Sequence, residues 1–449
     1  MVPADRSQPF GDANRLNLLV ARFHSAKQPP LPDAVVYLGG GPGGWTIESL
    51  AAGGADNLTG FLAERDVFVL DLRGTGYSTP RLDCPESENL RWVFAERQPS
   101  EAARRETWYD TLRTCHAAFV EQGIDWSDYT SAASAADAED LRLALGAPPW
   151  NVFGGSYGAR VALTLARDYP AGIRSLILDS PVPLQADSFI ETPSNQMQAL
   201  ERVFAACAAQ PPCQSAFPAL GATLEQLVER LNRAPRLVQI TDERTGRLVD
   251  IRIDGTFLLT LLAHGMDIPS NIGKLPLLIY DLAGDREGIL AGLARYEYSA
   301  ELFSEGVYYG AKCVEEWPFT TSEAVGREIE QGNPRLLLPS LPDFEALRQF
   351  CRDIGAAPAP ALENQAVRSS IPALILSGAL DARTPPSGAR LIAADLERSR
   401  SLELPTAGHG VFGRSPCAKS LVRRFLDELD APAEIDCVDL RAKLTFATR

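Results

Sequence analysis

No apolar run in this chain approaches the roughly 18 residues that a membrane-spanning helix needs. An excess of positive charge is also missing. Forty-three Lys and Arg stand against 58 Asp and Glu, a net charge of −15. That balance argues against a protein that tracks nucleic-acid phosphates or settles on an anionic membrane. There is no Cys-x-x-Cys pair and no Cys/His cluster at zinc spacing, so structural zinc is not expected. The opening "MVPADRSQPF" has neither the charged start nor the apolar core of a secretory leader. Internal repeats and low-complexity tracts are absent. Histidine is scarce, with four residues in 449, which sharply narrows the choice of a catalytic base.

What is present reads as a soluble globular protein, with 45% hydrophobic and 22% charged residues. The length suits two or three units, or one domain with a large insertion. The cysteines, Cys84, Cys115, Cys207, Cys213, Cys313, Cys351, Cys417 and Cys437, are even in number and fall into four neighbouring pairs. Such usage is expected of disulfides in an exported protein whose leader has been removed, with Met1 added in its place.

Short apolar runs bounded by Gly and Pro alternate with helical stretches over the first 183 residues: "AVVYL", "DVFVLD", "WNVF" and "IRSLILD" read as buried parallel strands. Residues 100–122 and 134–146 read as helices, and the β-α-β rhythm predicts an α/β fold with a mostly parallel sheet. After Pro183 the pattern turns mainly helical, with one hairpin-like patch around Thr245-Gly246, and strands return at "IPALILSG" and "SLELP". The division expected is a core over 1–184, a mainly helical cap over 185–365, and a second core portion over 366–449.

Two glycine motifs carry the chemistry. "YLGGGPGGW" fits the dinucleotide template G-x-G-x-x-G through Gly39, Gly41 and Gly44, after a strand. Pro42 removes an N–H from the phosphate-facing turn, and Trp45 follows where small residues ease packing, so dinucleotide binding is a remote alternative. No Gly-Lys-Ser/Thr follows for a P-loop. "GGSYG" is a G-x-S-x-G centred on Ser156, set between a strand and a helix, where a strained turn presents a nucleophilic serine. A serine hydroxyl needs a base, and the base needs an acid to hold its tautomer. In the chain order Ser, acid, His, His24 and His116 come too early, and His264 lies in the apolar helix "TFLLTLLAHG". His409, in the loop "AGHG" after a strand, is the candidate base. Asp381 is the candidate acid, with Asp179 its rival and an ordinary Asx-turn the plain alternative. The oxyanion of acyl transfer needs two N–H donors, from Tyr157 and from Gly40 or Gly41 of the glycine loop.

With "GGGPGG", "RDVFVLDLRGTGYSTP", "GGSYGAR", "CVEEWPF", "GALDARTPP" and "GHG" in order, the chain resembles the proline iminopeptidase and tripeptidyl aminopeptidase family of α/β hydrolases. The resemblance implies an α/β-hydrolase fold with a mainly helical cap inserted after the sixth core strand. It also implies disulfides, for which chain order suggests Cys84–Cys115, Cys207–Cys213, Cys313–Cys351 and Cys417–Cys437. Cap carboxylates of that family hold a substrate's free amino terminus, which makes Glu315 and Glu316 candidates, a solvated or structural pair being the alternative. Gly39 stands where the iminopeptidase loop begins with histidine, which favours the tripeptidyl branch. The expected activity is two-step acyl transfer on a peptide, or on a small ester by a carboxylesterase, with no metal or organic cofactor and no nucleic-acid partner. Oligomeric state is not legible.

Overall fold

The apolar runs become a seven-stranded sheet in the computed structural model, which describes all residues except 12, 13, 54, 244, 287–289, 299–302, 332, 334, 335, 337–340, 431–436 and 449. In chain order the strands are β1 (Val20–Phe23), β2 (Leu31–Leu38), β3 (Arg65–Leu70), β4 (Trp150–Gly155), β5 (Ile173–Asp179), β6 (Arg236–Thr241), β7 (Leu248–Ile253), β8 (Ala373–Gly378) and β9 (Ser399–Leu404). The sheet order is β1-β3-β2-β4-β5-β8-β9; β1 is antiparallel to β3 and every other pairing is parallel. Parallel strands must be covered on both faces, which is why these runs are continuous rather than alternating in hydrophobicity. Val36, Val152, Leu176 and Ile375 pack beneath helices Ser131–Ala144 and Tyr157–Asp168. On the other face, Val35, Val67, Ile177 and Leu374 meet Leu421 and Phe425 of helix Pro416–Asp427.

Parallel direction has a functional consequence. The glycine loop follows β2, Ser156 follows β4, Ser180 follows β5, Asp381 follows β8 and His409 follows β9, so all five leave at the carboxyl edge of one sheet. The predicted helix over 134–146 starts earlier, at Ser131, because Thr130 caps it: its hydroxyl accepts the Ala133 N–H at 3.2 Å.

Between β5 and β8 the chain leaves the sheet. It departs after the fifth described strand rather than after a sixth, as expected from the resemblance. This insertion is mainly helical, including Ser188–Ala208, Leu220–Arg233 and Gly255–Gly265, and the expected hairpin is the antiparallel pair β6–β7. It has an apolar core of its own, containing Leu200, Leu227, Ile251, Leu262 and Ile279, and two residues after β8, Leu380 and Ala382, are buried in that same core. Disulfides join Cys84–Cys115, Cys207–Cys213, Cys313–Cys351 and Cys417–Cys437, with Cα atoms 5.1 to 6.0 Å apart. No helix among the described residues is long and apolar enough to cross a membrane.

Candidate active site

Ser156 sits between β4 and helix Tyr157–Asp168 at φ 55°, ψ −121°, a strained backbone for a residue with a Cβ. The flanking glycines exist because neighbouring backbone is too close for anything larger. A Cβ on Gly158 would lie 2.1 Å from the Leu38 carbonyl oxygen and 2.6 Å from that of Gly39; one on Gly154 would lie 2.4 Å from the Gly158 oxygen. The elbow is thereby pressed against the glycine loop. A Cβ on Gly40 would fall 2.9 Å from Ser156 Cβ, so the loop backbone runs directly alongside the serine side chain. On its other side Gly43 abuts the Ser304 carbonyl and the Phe303 ring. The loop is thus packed between the elbow and the insertion. Gly41 holds φ +134°. Tyr157 opens its helix, where an N–H has no intrahelical acceptor. Gly39 has a steric explanation: a Cβ there would meet Thr46 Oγ1 at 2.0 Å, so the space for a side chain is already filled.

His409 Nδ1 lies 2.9 Å from Asp381 Oδ2 and 3.1 Å from Oδ1, which leaves Nε2 as the free ring nitrogen. Asp381 is fully buried, and its Oδ1 accepts the N–H groups of Arg383 and Thr384 at 2.9 and 2.8 Å. Burial pushes this carboxyl up, but the His409 charge and hydrogen bond, with the two amides, pull it further down, below the ordinary carboxylate value. For His409 burial acts downward and Asp381 upward, and the net direction is upward. Thr384 was not foreseen. Its hydroxyl lies 2.9 Å from Asp381 Oδ2, 2.8 Å from the Ser180 carbonyl oxygen and 3.1 Å from His409 Nδ1.

The rival acid, Asp179, does something else. Its carboxylate accepts the Val411 and Phe412 N–H groups at 2.9 and 3.0 Å, just beyond His409, while its carbonyl accepts the Ser156 N–H at 2.9 Å. Ser180 Oγ takes the Gly410 N–H at 3.0 Å. The end of β5 thus grips the Ser156 turn and the His409 loop together. Burial pushes Asp179 up to about 6, against the pull of the two amides.

Glu315 and Glu316 are not free carboxylates. Both fall in a π-helical turn, Lys312–Glu316, and both are buried. Glu315 accepts from the Ser131 N–H and, at 3.2 Å, from the Tyr157 hydroxyl. Arg160 Nε is also 3.2 Å away, an ion pair by distance without an aligned hydrogen bond. Glu315 is a pillar beneath the elbow helix, with its carboxylate shared among Ser131, Tyr157 and Arg160. Glu316 is closed by Lys312 Nζ at 2.7 Å and Ser188 Oγ at 2.9 Å. An acid beside the Asp381 loop that does face open space is Glu191. Half-buried, it lines a cavity of about 120 Å³ with Gln185, Asn195, Arg383 and Thr384. Burial, with Asp187 and Glu316 adding their charge, pushes it up to about 7. Of the other histidines, His264 pairs with Glu297 and His116 stands edge-on to Trp126.

Residues 33–416 match the model of the alpha/beta hydrolase fold family. The chain belongs to the alpha/beta hydrolase fold family. Among curated relatives, this hydrolase is 27% identical over 189 residues to a tripeptidyl aminopeptidase of Streptomyces coelicolor, covering 40% of this chain and 34% of that one. It is 29% identical over 210 residues to serine protease Hip1 of Mycobacterium tuberculosis, covering 45% and 39%. The chain therefore spans between a third and two fifths of the length of these relatives. A solved proline iminopeptidase of Mycobacterium smegmatis superposes with a TM-score of 0.43 at 15% identity, covering 95% of this chain and 98% of that one.

Proposed function

We propose that this α/β hydrolase is a serine exopeptidase that cleaves short peptides from a free amino terminus through an acyl-enzyme. The carrying observation is the hydrogen-bonded Asp381–His409 pair at the same sheet edge as the strained Ser156 turn. Ser156 Oγ attacks the substrate carbonyl, forming a C–O bond as its proton passes to His409 Nε2. Asp381 keeps the other ring nitrogen protonated and stabilises the imidazolium. The oxyanion is met by the Tyr157 N–H and by Gly40 or Gly41. Collapse breaks the C–N bond, His409 returns the proton to the leaving amine, and a water activated by His409 releases the acid.

The peptidase assignment draws on the names of the curated relatives, a tripeptidyl aminopeptidase and a serine protease. Within this reading Glu191, rather than Glu315, receives the substrate ammonium, because Glu191 borders a cavity and a cation favours a desolvated carboxylate. The division into 1–184, 185–365 and 366–449 makes the insertion a cap, and the four disulfides support an extracytoplasmic location. The test is a panel of tripeptide p-nitroanilides with free and acetylated amino termini beside p-nitrophenyl esters. Cleavage confined to free amino termini supports the exopeptidase. Equal turnover of blocked and free peptides refutes it, and ester hydrolysis without amide cleavage selects the carboxylesterase.

A further inference from the structure

We propose that Asp267, in the insertion just past helix Gly255–Gly265, is a positioning residue that ties the insertion to both loops carrying the Asp381–His409 pair. The seat of the insertion then sets the pose of the base. The inference rests on the reading of His409 as base.

Asp267 is buried; its Oδ2 accepts from Arg383 Nε at 2.9 Å and lies 2.8 Å from Nη2 of the same guanidinium, an ion pair. Arg383 is the residue whose own N–H donates to Asp381 Oδ1 at 2.9 Å. One arginine thus binds the acid with its backbone and the insertion with its side chain. The second link runs through the main chain. The Asp267 carbonyl accepts from Arg414 Nη1, and the same nitrogen donates to the His409 carbonyl at 2.9 Å.

Two packing observations make the join rigid. A Cβ on Gly408, the residue before the base, would lie 2.2 Å from the Met266 carbonyl oxygen, so the base loop rests on insertion backbone. Leu380 and Ala382, on either side of Asp381, are buried in the insertion's own apolar core. The acid loop therefore belongs to the core by chain and to the insertion by packing.

Asp267 is also imperfectly satisfied as a structural residue. Its Oδ1 is buried with no hydrogen-bond partner among the described residues, at a desolvation cost that an apolar side chain of similar size would avoid. What only the carboxylate supplies is charge and the ion pair to Arg383. The charged groups around His409 are Asp381, Asp267 and Arg383, with Asp179 also coupled to it, Arg414 on its carbonyl and Tyr296 facing Asp267, Arg383 and Arg414. Asp381 and Asp267 favour the imidazolium, and Arg383 opposes it.

The signs of three variants follow. Asp267→Asn removes a negative charge and unmasks Arg383, and both changes lower the His409 pKa. Arg383→Gln removes the opposing cation and raises it. The double variant cancels the two and returns towards wild type. Histidine ring titrations of uniformly 15N-histidine-labelled protein, with His409 assigned by its loss in His409→Gln, read these shifts directly; about half a pH unit is expected for each single variant. The rate of Ser156 labelling by a fluorophosphonate should fall about tenfold in Asp267→Asn, with Asp267→Glu recovering part of it. Opposite shifts in the two single variants support the proposal. An unmoved His409 titration in Asp267→Asn, or shifts of the same sign in both, overturns it even if melting temperature falls. The titration needs no turnover, so it fails separately from the serine-hydrolase reading, which the fluorophosphonate reports in the wild type.

Discussion

Gly158→Ala and Gly155→Ala place the same methyl group in the same motif with opposite expected results. At position 158 the new Cβ would sit 2.1 Å from one backbone oxygen and 2.6 Å from another, and neither can swing aside as a side-chain end could. Relief requires the elbow and the glycine loop to part by about 1 Å, an overpacking cost of roughly 1–3 kcal/mol, against which alanine recovers up to about 1 kcal/mol of helix propensity. A net loss near 1–2 kcal/mol is expected. The activity loss should be larger, because a displacement of about 1 Å between nucleophile and oxyanion donors costs roughly 100-fold. At position 155 the nearest atom to the new Cβ is a Phe153 ring carbon at 3.5 Å, an ordinary contact, and the backbone there is not left-handed. That variant should stay within about 1 kcal/mol of the wild type and within a few-fold in rate. Thermal melting gives the stability arm, and the second-order rate of fluorophosphonate labelling gives the activity arm. Near-wild-type labelling of Gly158→Ala, or equal losses in both variants, would refute the argument that close backbone contact aligns the site.

Removing the Asp179 carboxylate with Asp179→Ala leaves two buried amides unpaired, at about 1–3 kcal/mol each, and should slow labelling through the base loop. Because the folded pKa of about 6 exceeds the unfolded value, this group's linkage stability is fully present below the unfolded pKa and is lost as pH rises through about 6. The denaturation gap between wild type and Asp179→Asn should therefore widen by roughly 1 kcal/mol from pH 7 to pH 5; a gap that narrows contradicts the raised pKa. Glu315→Gln strands the buried Arg160 charge and should cost about 3–5 kcal/mol by chemical denaturation, and a neutral result would return Glu315 to the list of substrate contacts. The acid limb of the labelling rate should lie above pH 6.5, since a raised His409 must lose its proton to act as base, and Asp381→Asn should reduce the plateau about 10⁴-fold. A limb below pH 6 in the wild type would contradict this.

The α/β class was legible because parallel strands are buried on both faces, and continuous apolar runs such as "AVVYL" and "SLILD" carry that burial in their composition. The Ser156 elbow was legible for a local reason: glycines two residues to either side are a steric requirement of a turn a few residues long. His409 emerged from scarcity and chain order. Gly39 was visible only as a departure from a motif; its cause, the Thr46 side chain in the vacant position, is a tertiary contact.

Two carboxylates at strand ends look alike in a sequence, and nothing local distinguishes "LILDSP" from "GALDAR". The sheet decides between them: β5, β8 and β9 are neighbours, so Asp381 reaches His409 Nδ1 while Asp179, one strand away, meets the amides beyond it. The partners that occupy Glu315, Arg160 and Tyr157, come from distant parts of the chain and are brought near only by packing, whereas the Lys312 that closes Glu316 is four residues away. Asp267 could not be anticipated at all, since its ties to Arg383 and Arg414 span more than a hundred residues. What backbone sterics and hydrophobic burial impose over short segments is written in the residues themselves: the fold class, the strained Ser156 turn and the glycine loop. Only the tertiary structure decided which charges meet, because an ion pair depends on separation and desolvation, and neither is encoded within reach of the residues that form it.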